Sequence, residues 1–167
     1  ANVRIEGFQP ESPLKAGLLS ITGNHISNQE INVHIKDSRG IVIGNNTLTR
    51  GSERNVLVER SALIDINHNI LDSNPDYGER LIGGIKIEDS FDCIVQGMTV
   101  SESHGGTPER GGALEIVRCE GIMVSDCILT DSRYRDVWLE DACSSQVSGL
   151  IVRRSSETKP YPAITES

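Results

Sequence analysis

The chain has 167 residues, 37% of them hydrophobic and 24% charged, which is typical of one globular domain with a sizeable core. Its formal charge of −8 and its scattered Lys and Arg residues argue against nucleic acid as a partner, because phosphate binding needs a concentrated basic face. No apolar run approaches the ~20 residues of a membrane helix, so we expect no membrane partner. The four cysteines have no metal-binding spacing, which predicts structural thiols and no metal site built on them.

Two short strands recur along the chain. The first contains two aliphatic residues separated by one outward residue, which is the period of a β-strand. These pairs are Val3 and Ile5, Val33 and Ile35, Val56 and Val58, Ile85 and Ile87, Leu114 and Ile116, and Val137 and Leu139. The second strand is marked by Ile21, Ile43, Ile66, Val95, Val124 and Val147. Their spacing lies within the roughly 20–50 residues typical of repeat proteins and predicts about six coils.

A bend follows each second strand. Its first position is always a residue that tolerates a positive φ angle, and these residues are Gly23, Asn45, His68, Gly97, Asp126 and Gly149. The next position holds Asn24, Asn46 and Asn69 in the first three coils. Asparagines stacked at the ~4.8 Å spacing of strands can hydrogen-bond along the stack, so we predict an asparagine ladder inside this bend.

These motifs resemble the right-handed parallel β-helix of the pectate-lyase-like superfamily. The resemblance covers residues 1 to 153, which we expect to form an all-β solenoid, and leaves residues 154–167 as a polar C-terminal tail or cap. It also implies a carbohydrate-facing surface. The NTD, DD, GHG and RIK motifs of polygalacturonases are absent, so no particular enzyme family is matched. A leucine-rich repeat and a left-handed hexapeptide helix are disfavoured, since neither the LxxLxLxxN pattern nor a six-residue rhythm occurs.

Two adjacent coils carry long insertions, at residues 72–84 and 101–112. Because both insertions leave the coil at the same corner, we expect them to stand side by side and overhang the outward face of the first strands. Loops that depart from a repeat are common places for function. The outward residues of that face fall in columns, one of Arg4, His34, Leu57, Lys86, Glu115 and Trp138, and one of Glu6, Lys36, Glu59, Glu88, Val117 and Glu140.

The candidate catalytic residues lie on this face and in the second insertion. Glu59 and Glu88 should be neighbours, and two carboxylates so close must share a proton, a cation such as calcium, or a neutralising neighbour, for which Lys86 is the candidate. No other cofactor is expected. Glu115 is expected at a distance from Glu88 compatible with the ~6.5–9.5 Å of an inverting glycosidase pair. His104 is a candidate general acid or base. The alternative is an exposed sheet face that carries cross-strand ion pairs.

The candidate substrate-binding residues are Tyr77, Arg80, Arg110 and Trp138. Arginine holds carboxylate or sulfate groups in bidentate fashion, so Arg80 and Arg110 suit an anionic sugar. Trp138 should point outward, where it would stack on a sugar ring, cover a terminal coil or form a subunit contact.

Two functions from different classes remain. One is a polysaccharide lyase or glycoside hydrolase acting on an extracellular or acidic glycan. The other is a non-catalytic glycan-binding or structural segment of a larger secreted or cell-surface protein. Whether the chain is an enzyme stays open. We expect a secreted or cell-envelope location, and a first strand at "NVRIE" with an exposed edge predicts a homo-oligomer or a longer solenoid.

Overall fold

The computed structural model describes residues 1–7, 16–73, 76, 82–155 and 161–167. In these residues the chain forms seventeen strands and no α-helix. All the strand pairings are parallel, and they join eleven strands in one sheet and six in another. No helix in the described ranges is long and apolar enough to cross a membrane.

The strands lie in three stacks along the axis of the solenoid. Stack I contains β1 (Val3–Glu6), the second halves of β3 (His25–Lys36) and β5 (Thr47–Glu59), β8 (Ile85–Glu88), β11 (Gly112–Glu120), β14 (Arg135–Cys143) and β17 (Ile164–Glu166). Stack II contains β2 (Ala16–Thr22), β4 (Ser38–Gly44), β6 (Ala62–Asn67), β9 (Ile94–Gln96), β12 (Met123–Ser125) and β15 (Gln146–Ser148). Stack III contains the first halves of β3 and β5, β7 (Ile70–Asp72), β10 (Thr99–Ser101), β13 (Ile128–Thr130) and β16 (Ile151–Arg153).

The chain passes from stack I to stack II to stack III and then begins the next coil, which confirms the predicted right-handed parallel β-helix. The core lies inside the three stacks. The predicted inward column of Ile35, Val58, Ile87 and Ile116 is in register and almost completely buried. Close packing of these side chains between successive coils is the main source of apolar stabilisation.

The bend between stacks II and III has the predicted conformation. Its six residues have φ angles between 50° and 71°. The asparagine ladder is present: the backbone N–H and the side-chain Nδ2 of Asn46 both donate to Oδ1 of Asn69, each at 2.9 Å. Asn24 makes the same pair of bonds to Asn46, at 3.0 and 3.1 Å. The ladder ends where Asn69 donates to the sulfur of Met98.

The corner between stacks I and II carries a second ladder, which we did not predict from the sequence. Its residues alternate in charge and all have φ angles between 46° and 51°: Asp37, Arg60, Asp89, Arg118 and Asp141. Arg60 binds both carboxylate oxygens of Asp37, at 2.9 and 3.1 Å, and Arg118 binds those of Asp89, at 2.7 and 2.9 Å. The hydrogen bonds from Arg118 lower the pKa of Asp89.

The C-terminal residues add a strand to stack I, because β17 pairs with β14. Arg154 joins this segment to the solenoid, since it donates to the carbonyl of Tyr161 and to the buried Asp136, each at 2.6 Å. At the other end β1 and β2 each pair on one side only, within the described residues. Cover of that edge by a further coil or a second copy stays a prediction.

Replacement of Ile87 by Asp should prevent folding. Ile87 is fully buried, so the carboxylate would be buried without a partner and the ~1.5–3 kcal/mol of side-chain burial would be lost. The matched control is Ile70→Asp, on the outward face of stack III, where the side chain is 50% exposed. Circular dichroism melts should show a cooperative transition for the control alone. A cooperative melt of Ile87→Asp would contradict the inward register.

Replacement of Asn46 by Ala should cost more than the same change at Asn24. Asn46 is buried in the middle of the ladder, and its loss leaves buried groups unsatisfied at about 1–3 kcal/mol each. Asn24 is exposed at the end of the ladder, where water replaces the lost contacts. Urea unfolding measures both changes, and equal losses would show that the ladder does not stabilise the bend.

Candidate functional site

The outward face of stack I, which we call the floor, is exposed or half-buried from β1 to β8 and is covered at Glu115, Val117 and Trp138. The register pairs Arg4 with His34, Leu57 with Lys86, and Glu115 with Trp138, as the first predicted column requires. The second column is also in register from Glu6 to Glu140. The floor therefore presents a regular array of polar side chains at the strand spacing of about 4.8 Å.

Glu59 lies opposite Glu88, as predicted, and each has its own basic neighbours. Nε2 of His34 hydrogen-bonds to Oε2 of Glu59, with the two side chains 13% and 19% exposed. Arg60 lies 3.9 Å from the other oxygen of Glu59. The sequence places His34 in the floor but gives no signal for its contact with Glu59, because this contact depends on a rotamer that reaches the next coil.

Glu88 binds Lys86, with 2.6 Å between Nζ and Oε2, and Arg118 lies 3.5 Å from the same oxygen. Lys86 is thus a neutralising neighbour of the Glu59 and Glu88 pair, as predicted. Three further basic side chains, His34, Arg60 and Arg118, lie beside the same pair. No group of three or more His, Cys, Asp or Glu residues that would hold a metal ion occurs in the described parts of the chain. These contacts give no support to a calcium ion between Glu59 and Glu88.

Glu115 is held beneath the second insertion. Its Oε1 accepts from Nη2 of Arg54 at 2.9 Å and from the backbone N–H of Gly112 at 3.1 Å. The Glu115 side chain is only 8% exposed and that of Arg54 16%. Gly83 and Gly84, in the coil between them, carry no side chains that would block this contact. Sequence reasoning missed Arg54, because the ion pair joins residues two coils apart.

The second insertion is fixed to the last coils by Arg135. The guanidinium of Arg135 donates to the carbonyls of Thr107 and Pro108, at 3.1 and 2.9 Å. It also packs against the rings of Trp138 and Tyr161, at 5.0 and 5.3 Å from the ring centres. Such a cation lying on two aromatic rings stabilises one position of the loop.

Trp138 is buried by these contacts. It lies in the outward column, but its side chain is only 6% exposed and its Nε1 donates to Glu140 at 3.0 Å. Of the roles that the sequence left open for Trp138, this burial favours cover of the terminal coil, and sugar stacking by Trp138 stays a prediction. Nη2 of Arg110 binds both oxygens of the same Glu140, at 2.9 and 2.8 Å.

The two insertions meet at Ile82. Its carbonyl accepts from the backbone N–H of His104 at 3.0 Å and from the hydroxyl of Ser103 at 2.9 Å. The described ends of the insertions are thus adjacent, and His104 is half-buried in the loop. Tyr77 and Arg80 lie outside the described residues, so their assignment to substrate binding stays a prediction.

The four cysteines are free thiols, and Cys93, Cys119 and Cys127 are buried. Burial raises the pKa of Cys93 to about 11. Cys119 pairs with Ala142 while Cys143 pairs with Glu120, so the two thiols are one residue out of register. The three buried thiols fill the core as small apolar side chains.

The fold and the floor define the class of the protein: a parallel β-helix module with an ordered array of ion pairs on one face. A family model described as Periplasmic copper-binding protein (NosD) matches residues 15–107, and the chain belongs to this NosD family. No curated protein matches the chain. The family is periplasmic, which confirms the expected secreted or cell-envelope location.

The residues of this chain do not fit a copper centre. Copper prefers imidazole, thiolate and thioether ligands, and every His, Cys and Met of the sequence lies within the described ranges. His25, His34, His68 and His104 lie in stack III, in stack I, in the bend and in the second insertion, respectively, and they belong to no group of three potential ligands in the described residues. The thiols of Cys93, Cys119 and Cys127 donate hydrogen bonds to backbone carbonyls in the core. No copper chemistry is therefore assigned to these residues.

Replacement of Arg54 by Met should lower the free energy of unfolding by about 3–5 kcal/mol, because it leaves the buried Glu115 without its cation. The double variant Arg54→Met with Glu115→Leu should recover much of this loss. Arg4→Met, at a side chain that is 56% exposed, is the control and should cost at most about 1 kcal/mol. Chemical denaturation of the wild type, the single variants Arg54→Met and Glu115→Leu, the double variant and the Arg4→Met control forms the test. Additive effects of the two single changes would contradict a coupled pair.

Proposed function

We propose that the chain is a non-catalytic polysaccharide-binding module of a periplasmic protein, and that the floor is its binding surface. The observation that carries this proposal is the pairing of the three candidate catalytic carboxylates: Glu59 with His34, Glu88 with Lys86, and Glu115 with Arg54. The arrangement offers many fixed hydrogen-bonding groups, and each of these three carboxylates already binds a basic side chain.

A general acid or base must come within about 2.6–3.2 Å of the atom with which it exchanges a proton. Glu115 is too deeply buried for a substrate to approach it, and its Oε1 is already occupied by two donors. This argues against the predicted pair of Glu88 and Glu115 in an inverting hydrolase. Detection of lyase or hydrolase activity is therefore one outcome of the test below, and it would contradict the proposal. The proposal involves no calcium ion.

The same contacts favour binding. Ionised side chains form the stronger hydrogen bonds, and sugar hydroxyls can accept from Lys86 or donate to Glu59 and Glu88. Because the ion pairs and the strand ladder already fix these side chains, little conformational entropy is lost when a ligand is bound. The second insertion, held by Arg135 and Arg110, would border the ligand at the Trp138 end of the floor.

A panel of polysaccharides tests this proposal in one experiment that measures both binding and turnover. Calorimetry should detect binding, while assays for new reducing ends and for the ultraviolet absorbance of unsaturated products should stay at background. His34→Ala should weaken binding, because it removes a floor side chain and frees Glu59. His25→Ala is the matched control, since His25 lies on the same strand but in stack III and is exposed.

Product formation that is lost in Glu59→Gln would establish an enzyme and refute the non-catalytic proposal. Equal effects of the two histidine changes would show that the ligand does not bind at the floor.

A further inference from the structure

The basic side chains of the floor are all held by carboxylates, as far as the described residues extend. Glu6 binds both Arg4 and Lys36, at 2.8 and 3.3 Å. Lys86 binds Glu88, Arg54 binds Glu115, and Arg110 binds Glu140, at 2.6, 2.9 and 2.8 Å, respectively. Lys86 and Arg110 therefore each carry a carboxylate partner, so neither is the uncompensated positive charge that the expectation of an acidic glycan required.

We propose that the glycan recognised by this module is uncharged, an inference that rests on the proposed function of the floor. A uronate or sulfate group binds tightly where a basic side chain has donors to offer. On this floor an anionic sugar would have to share each cation with the carboxylate that already binds it. Repulsion from that carboxylate would offset much of the attraction to the cation.

The charge of the whole chain supports the same conclusion independently. The formal net charge is −8, so a polyanion approaching the protein meets long-range repulsion at low ionic strength. A neutral chain meets none.

A neutral sugar suits the pairs as they stand. A hydroxyl group both donates and accepts, so it can bond to a carboxylate and an ammonium group that remain bound to each other. Lys86 with Glu88 and His34 with Glu59 offer such donor and acceptor pairs on neighbouring coils, and each of these side chains is partly exposed. Leu57, between His34 and Lys86 in the first column, adds an apolar contact for the face of a sugar ring.

The test compares neutral polysaccharides with uronate-containing ones of similar length, by calorimetry across ionic strengths from about 0.01 to 1 M, where the Debye length falls from about 30 to about 3 Å. We expect binding of a neutral polysaccharide whose Kd hardly changes with salt. Preferential binding of the acidic chains, weakening as salt is added, would overturn this inference while leaving a glycan-binding floor intact. Binding of neither class would overturn both proposals.

A charge variant tests directly whether the carboxylate of Glu88 offsets the positive charge of Lys86. Glu88→Gln releases Lys86 from its carboxylate, so the variant should gain affinity for the uronate chain by up to about fivefold, the effect of one partly exposed ion pair. The matched control is Glu120→Gln, which makes the same change at an exposed residue of β11 outside the floor columns. Equal gains in both variants, or no gain in Glu88→Gln, would show that the pair does not set the specificity.

Arg80 lies outside the described residues and receives its own variant, Arg80→Gln. Salt-sensitive binding of the acidic chain by the unmodified protein that disappears in this variant would assign anionic recognition to the first insertion and overturn the inference. Thermal melts of every variant establish that the protein under test is folded.

Discussion

Parallel pairing in register between successive coils is the constraint on which the structure depends. It places equivalent residues of neighbouring coils about 4.8 Å apart. A column can therefore repeat one residue type only if two such side chains can lie next to each other, or it can alternate two types that attract each other. Inside the solenoid, aliphatic side chains meet this requirement by packing. In the bend, Asn24, Asn46 and Asn69 meet it because an amide group both donates and accepts.

On the outside the same requirement produces ion pairs. Glu59 and Glu88 are forced together by the register, and His34, Lys86, Arg60 and Arg118 surround them. The ionic floor is thus a direct consequence of the repeat, and it needs no catalytic role to explain it. What the floor does provide is a flat and rigid array of hydrogen-bonding groups, which is the property that the proposed function uses.

The parts predicted correctly from sequence are those that depend on the backbone alone. The strand pairs, the positive φ angles from Gly23 to Gly149 and the register of the floor all follow from periodicity. The ion pair between Arg54 and Glu115 does not follow from periodicity, because it depends on long side chains that cross coils. The burial of Trp138 does not follow either, because it depends on a loop that folds over the sheet. No periodic signal in the sequence reports such contacts.

In the column from Asp37 to Asp141, successive coils carry a negative and a positive residue in turn. Each inner residue of the column (Arg60, Asp89 and Arg118) lies between coils that carry the opposite charge. Removal of any one of these three coils would therefore bring two residues of the same charge together at this corner. Removal of two coils would restore the alternation. At this corner, coils can therefore be gained or lost in pairs without electrostatic conflict, whereas the uncharged asparagine ladder of the neighbouring bend accepts any number.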